Sequence, residues 1–214
     1  MKFKANIVIP VKKLSNSKKR LSKILQSHQR QLLVLVMLED IIRKLNNSDF
    51  INKIYILTDD EILKKTSSYS NVEVVLQEYG LDVNSALTQF LKNISSEAES
   101  LPAVIIPSDI PLIKRETMEE VIKKISQSKQ CAVISPAHDN GTNLIGLPAN
   151  RVINFHYGLN SFREHVTEIL NKGLNPLIYD LADLELDLDT PEDVYQLVQS
   201  GVHCKTAVYL TKIL

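Results

Sequence analysis

The sequence predicts an α/β fold: a single three-layer sandwich in which helices cover both faces of a mainly parallel, mixed sheet. Three observations carry this. Short apolar, β-branched runs alternate with helix-length patterns along the chain, the rhythm of strand–helix–strand units. The runs are apolar throughout, as strands buried on both faces are. The 214 residues contain no internal repeat, low-complexity segment or linker, so one domain spanning 1–214 accounts for them.

In chain order, strands are expected at Ala5–Val11, 53–58, Val72–Leu76, 103–107 and 132–135, with weaker ones at 143–147 and 177–181. Helical patterns fall at 30–45, 61–67, 83–94, 115–126, Ser161–Asn171 and Pro191–Gln199. Thr190-Pro191-Glu192-Asp193 supplies an N-cap, a proline at the first helical position and two acids in the first turn. Gly173 and Gly201 each follow a helical pattern, where a left-handed residue ends the helix. The polar stretch SSEAES, 95–100, reads as a loop. The C-terminal HCKTAVYLTKIL ends apolar and packs either on the chain's own core or on a partner, which admits a homodimer.

Composition excludes several classes. With 44% hydrophobic and 23% charged residues, the chain has the balance of a soluble domain with a sizeable core. Lys+Arg and Asp+Glu are both 25, whereas a nucleic-acid binder carries a basic excess. A small anionic substrate needs only a local basic cluster. The longest apolar run, 32–38, has seven residues, too few to span a membrane. The apolar stretch near the N-terminus is likewise too short for the core of a signal peptide. Cys131 and Cys204 stand far apart in no metal-ligand spacing, so the expected compartment is the reducing cytoplasm.

In an open parallel sheet, ligands bind beyond the carboxyl ends of the strands, so the residues following each strand are the candidates. After the first comes KKLSNSKKRLS, 12–22, with Lys12, Lys13, Lys18, Lys19 and Arg20 and no acid. It reads as a flexible basic loop closing over phosphates, Arg20 offering a planar fork, or as a solvated surface loop. It lacks the glycines of a Walker loop or a dinucleotide fingerprint. After the second, Thr58-Asp59-Asp60 reads as a cap for the helix from Glu61. After the third, Gly80 suits a turn, Asp82 or Asn84 a cap, and Asn84 a contact to a base or ribose. After the fourth, IIPSDIPLI presents Asp109, either a turn acid before proline or a carboxylate with chemistry to do.

After the fifth, Asn140-Gly141 signals a hairpin, with Thr142 and Asn143 just past it and their N–H groups available to an anion. Tyr157-Gly158-Leu159-Asn160-Ser161 then opens a helix, and such starts hold phosphate or carboxylate because unpaired N–H groups and the macrodipole converge there. Last comes LELDLDT, 184–190, in which Glu185, Asp187 and Asp189 alternate with leucines. Three carboxylates on one face are unfavourable unless solvent or a cation screens them. As a solvated edge strand the segment needs nothing more. Folded towards Asp109, Asp187 and Asp189 bring three hard oxygen donors to the sheet edge, a set suited to Mg²⁺. The five histidines form no cluster, and His165 reads as packed on its helix.

Basic groups for phosphates, acids for Mg²⁺ and an N–H-rich helix start for a small anion suit nucleotidyl transfer. An acceptor's phosphate oxygen attacks the α-phosphorus of a nucleoside triphosphate, and pyrophosphate leaves. A phosphomonoester, with its second pKa at about 6, is already largely dianionic at neutral pH, so no general base is required.

IPVK with KKRLS (9–12 and 18–22), SDIPL around Asp109, NGTN (140–143), YGLNSFREH (157–165) and DLDTPEDV (187–194) resemble the 2-phospho-L-lactate guanylyltransferase family, in family order. The resemblance implies a nucleotide-diphospho-sugar-transferase-like, Rossmann-like fold similar to the molybdenum-cofactor guanylyltransferases. It implies transfer of GMP from GTP to 2-phospho-L-lactate, forming lactyl-2-diphospho-5'-guanosine for coenzyme F-420, a deazaflavin hydride carrier. It places Asp109, Asp187 and Asp189 on the metal, and Asp109, Lys19 and Arg20 at the reacting phosphates. Lys12, Lys19, Arg20, Gly80 and Asn84 would face the nucleotide, and Thr142, Asn143, Gly158 and Ser161 would grip the phosphorylated three-carbon acid. Family members often read Gly-Leu-Asn directly, whereas Asp82 and Val83 separate Gly80-Leu81 from Asn84 here. Phosphoenolpyruvate or 3-phosphoglycerate would satisfy the same grip. A non-catalytic nucleotide-binding domain would use the same edge but has little reason to keep three metal-placed carboxylates.

Overall fold

Continuous β-branched runs such as ANIVIPV hide both faces, and they occupy the middle of a seven-stranded sheet in the computed structural model, which describes residues 3–65, 69–78, 80–96 and 100–214. The strands are β1 (Ala5–Val11), β2 (Ile51–Thr58), β3 (Val72–Leu76), β4 (Ala103–Ile105), β5 (Cys131–Pro136), β6 (Thr142–Leu147) and β7 (Asn175–Ile178). Their order is β3-β2-β1-β4-β6-β5-β7. All neighbours pair in parallel except β6, which runs antiparallel to both β4 and β5. The two edge strands are the least buried, and β7 carries Pro176, a residue sheets confine to their edges.

Helices α1 (Ser27–Leu45), α2 (Val83–Ser95), α3 (Arg115–Gln127), α4 (Ser161–Asn171), α5 (Pro191–Gln199) and α6 (Lys205–Ile213) complete three layers. Alternate residues of one strand face opposite cores. Ile7 and Ile9 pack with α1, α3, α5 and α6, while Val8 packs with α2 and α4. Ile7 is fully buried, and truncating such a side chain to alanine costs about 2–5 kcal/mol.

Several expected boundaries shift for physical reasons. The fourth strand stops at Ile105; Ile106 still donates to the Val8 carbonyl at 3.1 Å, but Pro107 has no N–H to continue. The helix expected over 61–67 is a short 3₁₀ turn over Glu61–Lys65; residues 66 and 67, like 97–99 of the polar loop, lie outside the described residues. The basic segment is folded rather than loose: two 3₁₀ turns, Leu14–Asn16 and Lys19–Lys23, are pinned by buried Leu14 and Leu21. The C-terminal segment forms α6, an element with no strong sequence signal. It packs on α1, with Thr206 held by buried Asp40 and the Tyr209 hydroxyl donating to the Gln29 carbonyl.

Candidate active site

β1 lies between β2 and β4, and the strand order reverses there: the chain runs outwards from β1 to β2 and β3, then returns to β4 on the other flank of β1. This is the switch point at which open α/β sheets bind ligands, and two segments meet there. The basic segment follows β1, and Asp109 follows β4.

Backbone contacts bring a third segment to the same place. The Leu188 N–H donates to the Asp109 carbonyl at 3.0 Å, and Asn143 Nδ2 donates to the Leu184 carbonyl at 2.7 Å. Leu184 and Leu188 are fully buried. The alternation in LELDLDT is therefore a packing pattern: the leucines go in and the aspartates flank them. Glu185 is exposed. Asp193, in the first turn of α5, accepts from the N–H groups of Asp189 and Thr190 at 3.0 and 2.6 Å, fixing the end of the segment.

The carboxylates converge on a lysine. Lys18 Nζ lies 2.5 Å from Asp109 Oδ2 and 2.6 Å from Asp189 Oδ1, with only 6% of its side chain exposed. Burial works against its charge, but Asp109 and Asp189 more than offset this, and its pKa ends raised. Asp189 is held low; burial opposes this, while Lys18, Arg20 and Lys12 outweigh it. Arg20 stands 3.8 Å from Asp189 and is two-thirds exposed. Lys12 and Lys19 are exposed. Asp187 behaves oppositely. Burial, then Asp109 and Asp189, push it up to about 6.

Among the described residues no three acids, histidines or cysteines already surround one point. The donors nevertheless fit a divalent cation. Asp109 Oδ1 is buried with no hydrogen-bond partner, and Asp187 is raised by like-charged neighbours that include Asp139 as well. Both features describe negative charge in want of a cation.

The other candidates are neutral and mutually bonded. Thr142 and Ser161 are buried, their hydroxyl oxygens 3.1 Å apart. Thr142 Oγ1 also lies 2.9 Å from His165 Nδ1. The hairpin turn at Asn140-Gly141 forms as expected, and Thr142 and Asn143 follow it as the first two residues of β6. Gly158 takes φ +149°, which favours glycine. Gly80 also has a positive φ, +87°, and Asp82 is the cap of α2, accepting from Asn84 and Ser85 N–H groups. Asn84 points its amide at the Tyr157 backbone. Asp60 caps its 3₁₀ turn through Ile62 and also accepts from the Leu14 N–H at 2.9 Å, tying down the basic segment. Lys18 is the residue that sequence reasoning passes over within a run of five cations. The signal lay in Leu14 and Leu21, whose burial decides which lysine turns inward.

This fold, with a cation-bridged acid pair at its switch point, is that of the nucleotidyltransferases. Solved structures support the fold: one from Desulfovibrio desulfuricans G20, provisionally named a nucleotide-diphospho-sugar transferase, aligns with a TM-score of 0.79 at 19% identity over 97% of this chain and 94% of its own. A nucleotidyl transfer enzyme from Methanothermobacter thermautotroptrophicus aligns with a TM-score of 0.63 at 10% identity, over 91% of this chain and 95% of its own. The sequence narrows the class. Residues 5–214 match the family described as "Guanylyl transferase CofC like", and the chain belongs to that family. It is 32% identical over 211 residues to a 2-phospho-L-lactate guanylyltransferase of Methanocaldococcus jannaschii, covering 99% of this chain and 90% of that protein. It is 34% identical over 196 residues to a phosphoenolpyruvate guanylyltransferase of Roseiflexus castenholzii, covering 92% and 89%. No helix among the described residues is long and apolar enough to cross a membrane.

Proposed function

We propose that this chain transfers GMP from GTP to the phosphate of 2-phospho-L-lactate. The observation that carries the chemistry is the meeting of Asp109 and Asp189 on one buried ammonium group, with the second Asp109 oxygen unpaired. The names of the relatives support the acceptor. Asp109, Asp187 and Asp189 would hold Mg²⁺, which when bound neutralises charge on the transferring phosphoryl group. Lys18 and Arg20, and the exposed Lys12 and Lys19 beside them, attract and orient the triphosphate. Gly80, in its turn at positive φ, would face the nucleoside.

The acceptor's phosphate is dianionic at neutral pH. One of its oxygens bonds to the α-phosphorus while the bond to the β-phosphate bridging oxygen breaks, and pyrophosphate leaves with that electron pair. No proton moves, consistent with a site without a catalytic histidine. Thr142, Asn143, Gly158 and Ser161 form the acceptor end, Asn143 by holding the Leu184 carbonyl.

A second reading, transfer to phosphoenolpyruvate, is favoured by the Roseiflexus relative at comparable identity. Pyrophosphate release from GTP, measured with 2-phospho-L-lactate, phosphoenolpyruvate and 3-phosphoglycerate in turn, separates them. The largest kcat/KM belongs to 2-phospho-L-lactate. A larger value for phosphoenolpyruvate replaces the reading with the second one, and no release with any acid leaves a nucleotide-binding domain. The protein is read as a cytoplasmic homodimer, with exposed Val202, Val208 and Leu214 near the C-terminus as its apolar contact surface. A monomer in sedimentation removes that part.

A further inference from the structure

A chain of hydrogen bonds joins the start of α2 to the start of α4; it ends on Thr142 and Ser161 of the acceptor end, while its other members, Asn84 and His165, take no part in the transfer step. Asn84 Oδ1 accepts from the Tyr157 N–H at 2.7 Å, and Asn84 Nδ2 donates to the Tyr157 carbonyl at 3.2 Å. One residue back, the His156 N–H donates to His165 Nε2 at 2.9 Å. That contact fixes the tautomer. A neutral imidazole accepting at Nε2 carries its hydrogen on Nδ1, and Nδ1 faces Thr142 Oγ1 at 2.9 Å. The Thr142 oxygen then accepts, so its own hydrogen is free to go to Ser161 Oγ at 3.1 Å. Passed along in this direction, the chain leaves the Ser161 O–H as a donor with nothing in the chain to receive it.

The members suit such a relay. His165 is fully buried, and burial, then His156, hold its pKa down at about 4, so it stays neutral and keeps the same hydrogen through the neutral range. Asn84 is held at the helix start, where the Asp82 cap fixes its backbone N–H at 2.8 Å. Its bidentate grip sets the height of the Tyr157–Gly158 peptide, immediately before the turn that carries Ser161.

We propose that Asn84 and His165 are positioning residues for the acceptor: they aim the Ser161 hydroxyl, and the 157–161 segment with it, at an oxyanion of the phosphorylated acid. Asn84 serves the acceptor through Tyr157 and does not itself read the nucleotide base. The inference rests on the reading that this end of the site takes the acid.

Steady-state kinetics of Asn84→Leu and of two His165 variants test it. Asn84→Leu raises KM for 2-phospho-L-lactate about 10- to 100-fold with KM for GTP within about threefold. His165→Asn can place an amide N–H where Nδ1 stood, and His165→Gln an acceptor where Nε2 stood, so Asn restores the Thr142 link and Gln the His156 link. His165→Asn recovers the acceptor KM better than His165→Gln, even where both lose similar thermal stability. Equal rises in both substrates' KM for Asn84→Leu, or losses in the His165 pair that track only their melting temperatures, overturn the proposal. If the wild type turns over none of the phospho-acids, the acceptor reading fails instead. Calorimetry then asks whether Asn84→Leu weakens 2-phospho-L-lactate and spares GTP; equal weakening, or no binding of the acid by the wild type, overturns the proposal too.

Discussion

Two regions a few residues apart in the sheet are built on opposite principles. At the ends of β1 and β4, Asp109 and Asp189 raise the neighbouring Asp187, and buried Lys18 pairs with Asp109 and Asp189. Around α4, Asn84, His165, Thr142 and Ser161 are neutral and bond to one another or to nearby backbone, with the Ser161 O–H at the end of the chain. The first region stores unbalanced negative charge, which a divalent ion can offset. The second stores direction, because a hydrogen-bond chain in a low-dielectric interior holds one geometry. The difference shows how the labour is divided. Charge acts where phosphoryl groups change bonds, and shape acts where a small acid must be held in line.

The sharpest way to break the comparison is at Asp109. Asp109→Asn lowers turnover about a thousandfold. It costs about 2 kcal/mol of stability, since a partly buried pair with Lys18 is lost but Asp189 remains. Full activity in that variant makes Asp109 a turn residue only.

Lys18→Met comes next. It lowers turnover about a hundredfold, and Mn²⁺ raises its melting temperature more than that of the wild type, because Asp109 and Asp189 have lost their internal cation. An unchanged or smaller Mn²⁺ shift contradicts a charge-built edge.

The two regions also respond to pH with opposite sign. His165 titrates at about 4 in the fold against 6.5 unfolded. The unfolded chain therefore binds more protons between those values, and this contribution is present above pH 6.5 and lost as pH falls to about 4. The loss amounts to about 3 kcal/mol. Asp187 is raised from 3.8 to about 6, so its contribution favours the fold at low pH and is lost as pH rises through that window. Chemical denaturation from pH 4 to 7 checks both: Asp187→Asn leaves stability falling steeply on acidification, and His165→Asn leaves it rising. Parallel profiles in the two variants contradict the assignment. The smallest effect is at Arg20, two-thirds exposed and 3.8 Å from Asp189. Arg20→Ala raises KM for GTP about fivefold and leaves the melting temperature within error.

Much of this was legible in the sequence because burial writes simple patterns. The apolar runs marked the strands, and the Asp-Leu-Asp alternation marked carboxylates flanking buried leucines. Asp109 stood out because a strand ended beside it. What was illegible depends on pairings distant in sequence. Nothing in the local sequence ties Asn84 to Tyr157, or says that Lys18, turned inward between buried Leu14 and Leu21, meets Asp109 and Asp189. The antiparallel β6 was equally hidden, since an apolar run has no direction. α6 was missed because Asp40, far away on α1, caps it.

The most direct measurement is ³¹P NMR of the protein mixed with GTP, 2-phospho-L-lactate and Mg²⁺. The expected products are an unsymmetrical diphosphate, seen as two coupled phosphorus signals, and one equivalent of pyrophosphate, with neither forming after chelation of the metal. GTP consumed only to GDP or GMP, with the phospho-acid signal unchanged, contradicts guanylyl transfer at this edge.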